Sequence, residues 1–165
     1  MKTLLVADAG PLIALAVAQA LLQTANHFQL VVPQAVLTEC LADAAAPGGL
    51  LIAQMHQSAR FQIVADEHIR SLDLAYAQGL GSGEVAVLGY AVQHGFTALI
   101  DERRARTVAK NLGVATVGSG AVLLALKRQG LLASVRAALD AWAAHGYYVS
   151  AGLRAELLRR AGELG

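Results

Sequence analysis

Four carboxylates stand at points of the chain from which they could form one reactive site. They are Asp8, Glu39, Glu84 and Asp101, and Asp8 is the only charged residue between Lys2 and Glu39. Clustered carboxylates repel one another and raise one another's pKa values unless a cation binds between them. Their hard oxygen atoms favour Mg²⁺ or Mn²⁺, and such a site activates water and binds phosphodiesters. The pattern therefore predicts metal-dependent chemistry on a phosphate ester.

Three of these acids also have a simpler interpretation at the start of a helix. Asp8 and Asp101 each follow an apolar run of strand length and precede a helical pattern, which is where N-cap residues stand. Glu84 falls in the first turn of an apolar helix, where the helix dipole contributes about 0.3–1 kcal/mol and where Ser82 would be the cap. The residues alone leave both interpretations open.

Glu39 has a different alternative, because it lies in the middle of a helix beside an apolar stripe. Asp43 follows it one turn later. Like charges at this spacing are mildly unfavourable unless they are solvated or neutralised. A solvated helix edge therefore accounts for Glu39 as well as a metal-binding role does, and Asp43 is a rival ligand.

The elements that position these acids alternate along the chain. Strands are predicted at residues 3–7, 29–32, 61–64, 97–100 and 114–117. Helices are predicted at residues 11–24, 33–45, 50–58, 83–95, 101–112, 119–129, 132–145 and 150–163. Strands separated by helices with short connections favour βαβ units and a mainly parallel sheet. We expect one α/β domain over residues 1–165.

A parallel sheet would bring the four acids together. Asp8 and Asp101 end two strands, and the carboxyl ends of parallel strands lie at the same edge, where ligands bind. Glu84 begins the helix before the Asp101 strand, and Pro33 leads from another strand into the Glu39 helix. All four side chains can therefore reach one crevice.

Four basic residues follow the last of these acids. Arg103, Arg104, Arg106 and Lys110 suit phosphate oxygens, although a solvated helix face accounts for them equally well. Residues 1–100 hold three basic and seven acidic residues, whereas residues 101–165 hold ten and five. This asymmetry is a mild indication of an anionic partner for the second half.

Composition limits the class of protein. Of the 165 residues, 56% are hydrophobic and 15% are charged, against about 45–50% and about 25% in an average domain. The excess favours a sheet covered on both faces, and a homodimer whose apolar face involves residues 11–24 or 33–58. The single cysteine, Cys40, excludes an intramolecular disulfide and a cysteine metal cluster, so a cytoplasmic location is expected.

Several other classes are disfavoured. The apolar run from Pro11 to Ala18 has 8 residues, too few for the ~20 that cross a bilayer, so no membrane association is expected. The five histidines show no metal-ligand spacing. The glycine-rich loop before Glu84 lacks the lysine of a phosphate-binding loop, and Ser82 lacks the context of a hydrolase nucleophile.

At this point the ordered motifs resemble a PIN domain, in a PIN-like prokaryotic subfamily. The resemblance covers nearly the whole chain. It rests on Asp8 followed by Gly-Pro-Leu-Ile-Ala-Leu, Val31-Val32-Pro33 before Glu39, Gly83-Glu84, Leu99-Ile100-Asp101 with Arg106, the run 118–124 and the run 127–132.

The resemblance implies a Rossmann-like three-layer α/β/α sandwich and a Mg²⁺- or Mn²⁺-dependent ribonuclease. Asp8, Glu39, Glu84 and Asp101 match the family's catalytic, metal-binding acids, which hold one or two ions while a metal-bound water attacks phosphorus in line. Kinship to the toxins of toxin–antitoxin pairs implies an RNA substrate, an antitoxin protein and a dimer. A non-catalytic module that binds RNA or a protein is the alternative, and a phosphohydrolase or nucleotide-binding protein is a weaker one.

Three positions depart from the family pattern. Gly10 stands where many members have a serine or threonine hydroxyl, and Glu84 is one methylene longer than the aspartate common in toxins. Glu102 adds a carboxylate beside Asp101 to which the pattern gives no role.

Overall fold

The computed structural model describes residues 1–42 and 45–164, so the prediction for Asp43 lies outside the described residues. Five strands form one parallel sheet in the order β3-β2-β1-β4-β5. They are β1 (Leu4–Ala7), β2 (Gln29–Pro33), β3 (Gln62–Val64), β4 (Thr97–Leu99) and β5 (Thr116–Val117). The central strand pairs on both sides, with Val6 beside Val31 and Ala98. Its continuous apolar run is typical of a strand that is covered on both faces.

Helices connect the strands, as parallel pairing requires. They are α1 (Ala9–Val17), α2 (Leu21–His27), α3 (Gln34–Leu41), α4 (Gly49–Gln57), α5 (Leu74–Ala77), α6 (Ser82–His94), α7 (Arg103–Asn111), α8 (Ser119–Arg128), α9 (Val135–Ala144) and α10 (Ala151–Arg160), with a 3-10 turn at Asp66–His68. The result is a three-layer α/β/α sandwich, which confirms the predicted fold class. No helix of the described residues is long and apolar enough to cross a bilayer.

The prediction of one helix over residues 11–24 was wrong, because the chain breaks between α1 and α2. Gln19 adopts a left-handed φ of 57°. Its N–H donates to the Ala16 carbonyl, and the N–H of Ala20 donates to Leu15, which are the two bonds of a Schellman ending. Glycine usually marks such an ending, and an exposed glutamine gives no comparable signal.

Among the contacts that position the last two helices, one joins α9 to α1 and another joins Glu163, beyond α10, to the start of α9. The buried Trp142 indole donates to the Ala14 carbonyl at 2.7 Å, which joins α9 to α1. Glu163 accepts from the N–H groups of Val135 and Arg136 and from the Ser134 hydroxyl. Although partial burial opposes it, these bonds lower the pKa of Glu163 to about 2. The end of the described chain is thereby held at the start of α9.

Candidate active site

Asp8 lies at the carboxyl end of the central strand and is only 7% exposed. Its N–H donates to the Leu99 carbonyl, which extends the β1–β4 pairing to the edge. Asp8 stands at the N-cap position of α1, yet its side chain makes no capping bond there. One physical reason is Pro11, which occupies the N3 position and has no N–H to donate. The helix-cap interpretation therefore does not account for this carboxylate.

The environment of Asp8 opposes its negative charge. Burial raises the pKa of this carboxyl to about 6, partly offset by a hydrogen bond from Ala9, and the charges of Glu84, Glu39 and Asp101 add to the increase. A charge that is costly to bury and surrounded by like charges calls for a proton or a cation.

Glu84 lies in the first turn of α6 and is partly buried. Its Oε1 accepts from the Gly81 N–H at 2.9 Å, so the N-cap is Gly81, and the suggested cap at Ser82 is wrong. Its Oε2 is buried and has no hydrogen-bond partner among the described residues. Burial raises the pKa of Glu84, and the nearby Glu102 adds to the increase. Two ionised carboxylates cannot hydrogen-bond to each other, so a proton between Glu84 and Glu102, or a cation, would satisfy Oε2.

Gly83, in the first turn of α6, allows the carboxylates of Glu39 and Asp8 to lie close to this helix. A Cβ at this position would lie 2.9 Å from Glu39 Oε2, 3.4 Å from Asp8 Oδ1 and 3.3 Å from the side chain of Val36. The helix therefore allows these two carboxylates to approach because residue 83 has no side chain. Glu39 is otherwise on the exposed side of α3, where it can adjust its position.

Asp101 is held rigidly at the next strand end. Its Oδ1 accepts from the Ser119 N–H at 2.7 Å, while Oδ2 accepts from the Ser119 hydroxyl at 2.7 Å and from the Tyr147 hydroxyl at 2.9 Å. Since a carboxylate oxygen has about two acceptor sites, Oδ1 is the atom left with capacity for a further partner. Burial, and then the charge of Asp101, raise the pKa of Tyr147, so its hydroxyl stays a donor.

The N-cap of α7 is Glu102 rather than Asp101. Glu102 Oε2 accepts from the Ala105 N–H at 2.7 Å. Slight burial works against it, but hydrogen bonds from Ala105 and Arg104 lower the pKa of Glu102. This gives Glu102 a role as a cap and leaves Asp101 free of that role.

The predicted acids thus meet at the carboxyl edge of the sheet, in two groups. Asp8, Glu39 and Glu84 surround Gly83, and Asp101 is close enough to affect the pKa of Asp8. Over residues 1–42 and 45–164, no group of three or more Asp, Glu, His or Cys side chains is arranged to hold a metal ion. Mg²⁺ does not need such a group, since it commonly binds one or two carboxylates and keeps several waters. The oxygen donors and the unpartnered Glu84 Oε2 fit a hard divalent cation.

The basic residues divide between two places. Arg103, Arg106 and Lys110 line a surface groove that also includes Asp101. Arg104 instead donates to the Gln78 carbonyl, and its guanidinium occupies the space that a Cβ at residue 79 would take. Three of the four predicted cations therefore share a groove with Asp101, and Arg104 supports the loop before α6.

Three residues of this site received no role from the sequence, although two of them lie in the motifs that carry the family resemblance. They are Gly83, Ser119 and Tyr147. Ser119 lies two residues beyond the end of β5, as Asp101 does beyond β4, so the strand-end argument applied to Asp101 would also have found it. Tyr147 lies 46 residues from Asp101 along the chain, and no local pattern connects the two.

Comparison with known proteins agrees with the fold. The family model DUF3368, described as a PIN domain, matches residues 4–163. No curated protein matches the chain. Among solved structures, a PilT N-terminus domain protein from the hyperthermophilic archaeon Sulfolobus solfataricus is 14% identical with a TM-score of 0.53, covering 74% of this chain and 92% of its own. Because the family model matches nearly the whole of this chain, the chain belongs to the PIN-domain family.

Proposed function

We propose that the protein is a divalent-metal-dependent endoribonuclease. The observation that carries the proposal is the buried, unpartnered Glu84 Oε2 beside Asp8, a carboxyl whose pKa is raised to about 6. Carboxylates with strongly shifted pKa values cluster at functional sites, which supports a catalytic role for this pair. Family membership gives the reaction class, since PIN domains are commonly nucleases that use divalent metal ions.

The residues take separate parts in this proposal. Carboxylates from the set Asp8, Glu39, Glu84 and Asp101 would hold a Mg²⁺ or Mn²⁺ ion, some of them through water. Bound there, a divalent cation neutralises charge on a phosphate and acidifies water. Ser119 and Tyr147 orient Asp101, whereas Arg103, Arg106 and Lys110 bind phosphate oxygens of the RNA on either side.

The test is cleavage of single-stranded RNA with added Mg²⁺ or Mn²⁺. We expect activity that EDTA abolishes, and a loss of at least ~100-fold in Asp8→Asn and Glu84→Gln, the upper end of the loss from removing a merely supporting contact. Glu67→Gln, which changes an exposed carboxylate in the 3-10 turn, is the matched control and should keep full activity. Cleavage that survives both EDTA and Asp8→Asn would overturn the proposal.

A second candidate is a PIN-like module that binds RNA or a protein without cleaving. It is favoured by one observation: in the described part of the chain, no group of three or more acids is arranged to hold a metal ion. This candidate predicts RNA binding without turnover, and no heat of binding on titration with Mn²⁺.

The toxin role, the antitoxin partner and the homodimer belong to the same proposal. Exposed Leu22 on α2 and Leu50 on α4 support an apolar face near the predicted dimer regions. Light scattering should give twice the mass of the chain at micromolar concentration. Growth arrest on expression, relieved by a co-expressed small partner protein, tests the toxin role, and normal growth of cells that contain active enzyme contradicts it.

A further inference from the structure

A partly enclosed pocket of about 670 Å³ opens on the side of Asp101 that faces Tyr147 and α10. The first turn of α8, helix α10 and residues 147–150 form its walls. Its volume falls in the range of ordinary small-ligand sites, about 300–1,000 Å³.

The floor of this pocket is apolar, and an exposed aromatic and an exposed aliphatic side chain lie at its rim. Leu124, Trp142 and Leu157 on the floor are at most 5% exposed. On the rim, Tyr148 is 80% exposed and Leu153 is 48% exposed. Two large apolar side chains exposed at the mouth of one pocket mark a surface that a flat apolar ligand would cover.

Polar groups lie on the side of the pocket that faces the acids. Asp101 and Arg106 line both this pocket and the groove of basic residues. Arg106 makes no ion pair in the part of the chain that the structure describes, whereas Arg160 across the pocket is paired with Glu156. Arg106 is therefore the cation available to a ligand that enters from the acid site.

A nucleotide has this same division, with a flat ring that stacks on aromatic side chains and a phosphate that binds arginine. We propose that the pocket binds one unpaired nucleobase of the RNA strand, next to the phosphodiester that is cleaved. The choice of RNA depends on the proposed function, whereas the binding of a nucleotide depends on the pocket. A base in a duplex cannot enter such a pocket, so the nucleotide that binds there must be unpaired.

The first test measures the pocket without cleavage. The four nucleoside 5′-monophosphates are titrated in EDTA, and the fluorescence of Trp142, the only tryptophan, is followed. We expect saturable quenching, and at least ~5-fold weaker binding in Tyr148→Ala, in line with the loss of one stacking contact. Leu74→Ala, at an 88% exposed position away from the pocket, is the control and should bind as the wild type does. No saturation up to ~10 mM would overturn the proposal.

A second variant blocks the pocket instead of removing a contact. Ala121 is an exposed residue on the pocket wall in α8, so Ala121→Phe fills the pocket without disturbing the core. It should abolish the quenching. An apolar dye that binds the pocket and is not displaced by nucleotides would overturn the proposal in favour of a protein ligand.

The proposed nuclease activity and the proposed nucleotide pocket can be contradicted independently of each other. In RNA cleavage, Tyr148→Ala should raise KM by at least ~5-fold and leave kcat unchanged. If this variant cleaves RNA with a normal KM and the protein binds no nucleotide, the proposed nucleotide pocket is contradicted and the proposed nuclease activity is not. If the protein binds nucleotides but does not cleave RNA, the proposed nuclease activity is contradicted and the proposed pocket is not.

Discussion

Replacing Asp8 by asparagine should make the metal-free protein more stable. The carboxylate is buried among three other acids, and its burial is the largest cause of its raised pKa. Asparagine has nearly the same shape, keeps an oxygen that can accept from the Ala9 N–H, and removes the charge. The substitution thus removes a cost of folding that function alone explains.

The size of the effect follows from the pKa. A rise from the ordinary 3.8 to about 6 means that the ionised form is disfavoured in the folded state. At 1.36 kcal/mol per unit this is about 3 kcal/mol near neutral pH. The asparagine amide still loses its contact with water, so we expect a gain of about 1–3 kcal/mol.

The sign of the pH dependence is also fixed. The folded-state pKa of Asp8 is above the unfolded value. The free energy that its ionised form costs the folded state is therefore fully present above pH 7, and it disappears as pH falls through 6 towards 4. The metal-free wild type should therefore gain stability between about pH 7 and about pH 5. The pKa of Glu84 is raised in the same direction, so a smaller slope should remain in Asp8→Asn. The lowered pKa of Glu163, about 2, acts only at more acidic pH.

Urea denaturation in EDTA measures this directly. Wild type, Asp8→Asn and the control Asp140→Asn are compared near neutral pH and near pH 5. Asp140 is an exposed partner of Arg154, and such surface pairs contribute at most about 1 kcal/mol. Added Mn²⁺ should stabilise the wild type and not Asp8→Asn. If Asp8→Asn is no more stable than Asp140→Asn in EDTA, the electrostatic argument is refuted.

Three further substitutions test the geometry of the site. Gly83→Ala should stay folded, because its Cβ meets the movable end of Glu39, but its RNA cleavage should be slower, and a normal rate would show that the close approach is unnecessary. Tyr147→Phe removes one of three donors to Asp101, so kcat should fall at constant KM while urea denaturation shows a loss of about 0.5–1.5 kcal/mol. At Gly10 a Cβ has open space, so Gly10→Ser should cleave faster than Gly10→Ala if the family's hydroxyl contributes, and equal rates would argue that it does not.

The sheet and the meeting of the acids could be predicted because both depend on local patterns. Short apolar runs marked all five strands, and the rule that parallel strands end at one edge placed Asp8 and Asp101 together. The same rule placed Glu84 and Glu39, each on a helix next to a strand. Their assignment as metal ligands stays a prediction that the experiments above test.

Details that depend on contacts distant in sequence could not be predicted. Glu102 rather than Asp101 caps α7 because Asp101 is already bonded by Ser119 and Tyr147, a tertiary contact that no helix-start rule includes. The role of Gly83 depends on how closely α3 approaches α6. The break at Gln19 depends on a left-handed residue that carries no glycine signal.

The most direct test of the metal site is the anomalous scattering of Mn²⁺ in crystals of the wild-type protein. We expect a peak within ~2.0–2.6 Å of carboxylate oxygens of both Asp8 and Glu84, with Glu84 Oε2 among the ligands of the ion. The same crystals of Asp8→Asn should show no peak there. A wild-type crystal saturated with Mn²⁺ in which Glu84 Oε2 stays without a cation would contradict the central claim.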